Sequence, residues 1–238
     1  VNKCSYTVWV GTLGQSKKQP TFNHNGVGYN SPYGGGYQLN SGQSQSFTVP
    51  SDWFGARIWP RTNCKTVNGQ FVCETGDCGP YVQCSSGNIP RGGAPPATLA
   101  EFTLNGAGNQ DFLDLSLVDG FNVPMQIQFT NPSSPPAGAN PKYWCTTINC
   151  QANVNANCPQ ELKKYNSAGK VVGCQSACLK FNTDQYCCRG SYGPTNCQSS
   201  NWPVNYPAFF KQQCPDAYSY AYDLSLIHIS EPTRRSWI

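Results

Sequence analysis

Fourteen cysteines in 238 residues constrain this chain more than any other feature. In a reducing compartment so many thiols would have to ligate metal. Zinc sites favour Cys-x-x-Cys pairs or clustered histidines, and no such cluster occurs, since His24 lies in a Gly-rich segment and His228 near the far end. The remaining solution is a disulfide framework in an oxidising compartment, so a secreted, extracellular protein with no metal and no cofactor is expected. The chain starts at Val1 without Met or an apolar leader and is read as a mature form whose signal peptide has been removed. No apolar run is long enough to span a membrane. No Asn-x-Ser/Thr acceptor occurs either, since Asn131 precedes Pro132.

With 23 Gly, 19 Pro and 12% charged residues, the composition favours many short strands and turns over long surface helices. Aromatic residues make up 13%, enough to build a core. The net charge of +4 is scattered, with Lys17-Lys18 and Lys163-Lys164 the only internal pairs. That argues against nucleic acid, which favours a basic stripe, and leaves a weak attraction to anionic membrane or wall surfaces. A monomer is expected.

Along the chain, residues 4–10 read as a first strand and 11–45, rich in Gly, Asn and Gln, as a long hairpin excursion. Residues 46–49 and 55–59 look like further strands, with Ala56 and Ile58 facing one way and Arg57 and Trp59 the other. In 97–104, Ala100, Phe102 and Leu104 form an apolar face opposite Glu101. In 112–118, Leu113, Leu115 and Leu117 alternate with Phe112, Asp114, Ser116 and Val118. Asp119-Gly120 followed by the alternating run 121–129 predicts a two-residue hairpin. Nine cysteines fall between 145 and 214, with helix-like pieces at 159–165, 175–181 and 206–213 that are too short to stand without disulfides.

The run Gly69-Gln70-Phe71-Val72-Cys73-Glu74-Thr75-Gly76-Asp77-Cys78, ending at Cys84, resembles the signature of thaumatin-like proteins. So do Cys4-Ser5-Tyr6-Thr7-Val8-Trp9, Thr98-Leu99-Ala100-Glu101-Phe102, Val118-Asp119-Gly120-Phe121-Asn122-Val123-Pro124-Met125 and Cys214-Pro215-Asp216-Ala217-Tyr218-Ser219-Tyr220. Pro80 departs from the pattern, and the excursion at 11–45 is longer than usual. The resemblance implies a mainly β fold: an eleven-stranded β-sandwich at 1–61 and 97–144, a small disulfide-stapled third domain at 62–96, a disulfide-rich helical and loop domain at 145–214, and a return to the core at 215–223. It implies the bridges Cys64–Cys73, Cys78–Cys84, Cys150–Cys214, Cys158–Cys174, Cys178–Cys187 and Cys188–Cys197, and leaves Cys4 and Cys145 unpaired. Residues 224–238 carry no cysteine and no family pattern, and are read as a foreign tail.

In thaumatin-like proteins an Arg, a Glu and three Asp line a cleft. By motif position these are Arg57, Glu101, Asp114, Asp119 and Asp223, with Leu224 where an acid is common. Periodicity alone places Arg57, Glu101 and Asp114 opposite the apolar faces of their strands. Paired carboxyls suit glycoside hydrolysis, one protonating the leaving oxygen and the other attacking or activating water. The resemblance favours Glu101 as proton donor and Asp119 as partner carboxylate, with Arg57, Asp114 and Asp223 binding substrate. Turn chemistry alone would also explain Asp119. Tyr81, Phe121, Tyr192, Trp202 and Tyr206 could stack on sugars or fill cores, and none is assigned. No Gly-x-Ser-x-Gly or phosphate-binding Gly loop is present. The expected function is a host-defence, antifungal protein that binds β-1,3-glucan and weakly hydrolyses it. The rival reading is a non-catalytic module that perturbs membranes or binds a protein.

Overall fold

A computed structural model describes the chain apart from residues 25, 87, 88, 133, 136, 139, 142, 143, 194, 224–227 and 231–238. At 22, 24 and 228–230 it describes the backbone alone. The strands are β1 (Val8–Gln15), β2 (Phe22–His24), β3 (Val27–Tyr29), β4 (Gly36–Leu39), β5 (Phe54–Arg61), β6 (Lys65–Val67), β7 (Gln70–Val72), β8 (Leu99–Thr103), β9 (Asp111–Ser116), β10 (Met125–Ile127), β11 (Ile148–Cys150), β12 (Lys163–Tyr165), β13 (Val171–Cys174), β14 (Ala217–Tyr218) and β15 (His228–Ser230). The short helices are α1 (Val154–Asn157), α2 (Ala177–Phe181), α3 (Asp184–Cys187) and α4 (Tyr206–Gln213). The fold is mostly β and rich in disulfides, as expected.

A nine-stranded sheet runs β14-β9-β8-β5-β1-β3-β2, with β4 also on β1 and β15 also on β9. The ladder β10–β11 lies beside it, while the hairpins β6–β7 and β12–β13 stand apart. Alternation explains the central strands. Leu113 and Leu115 are fully buried on one side of β9 and Ala100 on the matching side of β8. The same apolar cluster takes in Ile148, Val154, Leu162, Cys174 and Phe210, so one core runs through the sheet and the 145–214 segment. Short helices hold through caps, with Ser176, Thr183 and Asn205 accepting hydrogen bonds from the amides of Leu179, Tyr186 and Ala208.

Several local expectations are corrected. The first strand begins at Val8 rather than at residue 4. Residues 46–49 form no strand, because Phe47 packs on Tyr33 and Tyr37 and Val49 on the Trp53 cluster without a ladder partner. Within 159–165 only the 3-10 turn Gln160–Leu162 is helical, and Lys163–Tyr165 is β12. The largest correction concerns Asp119-Gly120. The chain does turn there, the Gly120 amide donating to the Leu117 carbonyl at 2.9 Å. It does not return along β9, whose outer edge is taken by β14 and β15. Instead Phe121 exchanges two backbone bonds with Cys174, and β10 pairs β11. Gly120 has φ +81°, and a Cβ there would press on the Cys174 carbonyl, so the glycine serves this crossing.

Six disulfides join Cys64–Cys73, Cys78–Cys84, Cys150–Cys214, Cys158–Cys174, Cys178–Cys187 and Cys188–Cys197, and Cys4 and Cys145 are free. The foreign-tail reading falls largely outside the described residues. Of 224–238 only the backbone of β15 is described, antiparallel to β9.

The 62–96 segment sits on the sheet face that carries Trp59. The Trp59 indole is fully buried, donates to the Gly76 carbonyl at 2.9 Å, and lies where a Cβ on Gly11 or Gly93 would overlap it. Arg61 is fully buried too, donating to the carbonyls of Val82 and Val10, and burial lowers its pKa to about 10. Asn122 completes this joint. Its Nδ2 donates to the Pro60 carbonyl and to Thr75 Oγ1, and its Oδ1 accepts from the amides of Thr98 and Val123. Asn122→Ala should therefore leave several buried groups unpaired and cost about 3 kcal/mol, a fall in Tm of about 6–12 °C for a chain this size. A thermal melt that moves by less than a degree would refute it. Thiol labelling of the denatured, unreduced protein should tag Cys4 and Cys145 and no other cysteine.

Candidate functional site

The acidic residues are brought together by strand register. Across three antiparallel strands Arg57 pairs Glu101, and Glu101 pairs Asp114, in one unbroken row. Directly opposed residues on one sheet face stand close enough for their side chains to interact, so the register makes a cation and two carboxyls neighbours. A slip of one residue would turn every one of them into the core. One step along, Ser116 on β9 stands between Leu99 and Tyr218, because β14 pairs β9 in parallel through Ala217–Leu115 and Tyr218–Ser116. Asp119 follows β9 at the Leu117–Gly120 turn, its backbone carbonyl accepting from the Ala97 amide at 3.0 Å.

Arg57, Glu101, Asp114, Asp119 and Tyr218 are half-buried and Ser116 is buried, and burial sets their chemistry. Asp114 is pushed up to about 7, first by loss of water and then by the negative charge of Glu101. Burial also raises Glu101, and Asp119 adds to the rise, while Arg57 and a hydrogen bond from the Ser116 hydroxyl oppose it. Asp119 is raised by burial and held back by Arg57. The row therefore keeps a proton into the neutral range while Arg57 favours the ionised form of Asp119. Arg57 Nε and Asp114 Oδ1 are buried without a hydrogen-bond partner, leaving one donor and one acceptor unused in the same row.

Asp223 lies outside the cross-strand row. It is only 7% exposed, accepts from the Ser219 amide and hydroxyl at 3.1 and 2.8 Å, and meets Lys211 Nζ at 3.3 Å. It reaches the acidic group through Tyr218, whose phenol is pushed up to about 12 by burial and then by Asp114, Asp223 and Glu101. Tyr218 is the member that sequence reasoning missed. Its only signal was its place in the Cys214–Tyr220 motif. Of the unassigned aromatics, Phe121, Trp202 and Tyr206 are buried in the core, whereas Tyr81 is half exposed. Among the described residues no group of His, Cys, Asp or Glu could hold a metal.

The pKa shifts carry a stability consequence. A carboxyl whose pKa is raised on folding binds its proton more tightly in the folded state. Its contribution is full below the unfolded value of 3.8 for Asp114 and is lost as pH rises through about 7. The melting temperature should accordingly fall between pH 5 and pH 8 in wild type. Asp114→Asn should flatten that slope, and an unaltered slope in the variant would show that Asp114 is not the titrating group.

Residues 2–235 match the thaumatin family. A glucan endo-1,3-beta-glucosidase of Prunus avium is 45% identical over 223 residues, covering 93% of this chain and 80% of that protein. Pathogenesis-related protein 5 of Arabidopsis thaliana is 44% identical over 225 residues, with the same coverage. The solved structure of a thaumatin-like xylanase inhibitor shares 30% identity over 52% of this chain and 70% of that one, at a TM-score of 0.35. On the extent and identity of these matches, the chain belongs to the thaumatin family.

Proposed function

We propose that this protein is a secreted defence protein that holds β-1,3-glucan along the Arg57–Glu101–Asp114 row and slowly hydrolyses it. The observation that carries the reading is the cross-strand pairing of Glu101 with Asp114, with both carboxyls raised and Asp114 near 7. Two carboxyls this close cannot both ionise freely, so the pair retains a proton that it can give to a glycosidic oxygen. Glu101, paired across the strands with Asp114 and raised by burial, is the donor. Asp119, favoured in its charged form by Arg57, is the carboxylate that attacks or activates water. The family names fit: one relative is called a glucan endo-1,3-beta-glucosidase and another a pathogenesis-related protein. Six disulfides suit an extracellular setting. A second reading, binding without cleavage, is favoured by Asp223, whose carboxylate is engaged by Ser219 and Lys211 rather than free for a substrate.

Reducing-sugar release from laminarin tests the two. Glu101→Gln keeps the shape of the side chain but has no proton to donate, so activity should fall by about 10²-fold or more, with binding to insoluble glucan retained. Wild-type activity should decline as pH rises through about 7, as the Glu101–Asp114 pair loses its proton. Hydrolysis by the variant at the wild-type rate would refute the assignment. Glucan binding with no hydrolysis by either protein would establish the second reading.

A further inference from the structure

Between Lys18 and Asp52 the chain carries no Lys, Arg, Asp or Glu. This uncharged stretch builds the far side of the sheet, where β1 separates β4 from β5 and its Arg57. At its surface stand three aromatic rings. Tyr33 is 48% exposed, and its ring meets Tyr37 edge-on at 5.2 Å and Phe47 at 6.3 Å. Tyr37 and Phe47 meet each other at 6.4 Å, so both buttress the outer ring from behind. The Tyr33 hydroxyl donates to the Ser46 carbonyl and accepts from the Gln45 side-chain amide. Its backbone has φ +55° and ψ +34°, a conformation that bulky residues rarely adopt. The next residue is anchored, the Gly34 carbonyl accepting from the Ser85 amide at 2.9 Å. Gly35 is buried against Ser85 beside the Cys78–Cys84 bridge. Beside the ring lie the exposed, uncharged residues Gln45 and Ser46.

From these observations we infer a second binding face, distinct from the acidic row, on which the Tyr33 ring stacks against a sugar of a neutral polysaccharide. An exposed ring fixed in orientation loses little freedom on binding. Its negative π-face attracts the C–H face of a pyranose, and neutral amides and hydroxyls suit sugar hydroxyls. A charged partner would find no complementary charge along this stretch. The inference rests on the reading that the ligand is a neutral wall glucan, and it adds a hold on the polymer away from the reacting carboxyls.

Co-sedimentation of the whole protein with insoluble β-1,3-glucan tests it, alongside nitration of wild-type tyrosines with and without soluble laminarin. Tyr33→Ala should weaken binding about five-fold with an unchanged Tm, whereas Tyr33→Phe and Tyr33→Trp, which keep a ring, should bind within about two-fold of wild type. Laminarin should protect Tyr33 from nitration in wild type, a result independent of any variant's folding. If Tyr33→Ala binds as wild type and Tyr33 stays unprotected while wild type still sediments, this face is refuted and the acidic-row reading stands. Equal losses in Tyr33→Ala and Tyr33→Phe would also refute it, showing that the hydroxyl tethers shape the loop. Wild type that fails to sediment with glucan would overturn both readings.

Discussion

The buried side chain of Asn122 is the contact on which the arrangement of the molecule depends. It follows the Asp119-Gly120 turn and bonds at once to Pro60 at the end of β5, to Thr75 in the stapled 62–96 segment and to Thr98 just before β8. Its own carbonyl accepts from Asn155 in α1. An amide is the right group for this, with two donors and a two-lone-pair acceptor and no charge to bury. An aspartate would bring a desolvated charge and lose both donors, and a leucine would withdraw the amide from four buried partners, of which Thr75 Oγ1 keeps the Thr62 hydroxyl. Segments far apart in sequence thus share one hydrogen-bond centre, close in sequence to the carboxyl of Asp119.

The acidic row shows the opposite policy toward polar burial. Glu101 and Asp114 face each other with like charge, a pairing that destabilises a sheet. Burial raises both carboxyls, and the charge of Glu101 adds to the rise of Asp114. Core packing does not require them there, since Ala100, Leu113 and Leu115 supply the packing from the other faces of the same strands. Local cost without structural return is characteristic of sites kept for chemistry.

Strand alternation made part of this legible in the sequence. The period of two in 97–104 and 112–118 put Glu101 and Asp114 on the non-core side, and the register then made them neighbours. The Asp119-Gly120 hairpin failed because a turn signal is local, whereas the partner after a turn is chosen by competition. Phe121 gained full burial against Cys174, and the β9 edge was filled by strands about a hundred residues later in the chain. Tyr218 was hidden for the same reason, lying on a two-residue parallel strand too short to show any period. The Cys pairs followed from the resemblance. No spacing rule would have chosen Cys150–Cys214, separated by 64 residues, over its competitors.

That long bridge connects the framework to the site. Cys150 ends β11 and Cys214 follows α4, so the disulfide pins the helix end against the core just before the chain enters β14. Lys211, in the last turn of α4, reaches past it to the carbonyls of Pro215 and Ala217 and to the Asp223 carboxylate. A cation there answers the partial negative charge of the helix end and satisfies carbonyls that the helix leaves open. The segment carrying Tyr218 is thus held from the bridge on one side and from Asp223 on the other. Tyr218 can then stay on the short β14 ladder beside Ser116, one step along β9 from Asp114. Asp223, held by Ser219 and Lys211, acts in this arrangement as the far anchor of the tyrosine that flanks the carboxyl pair.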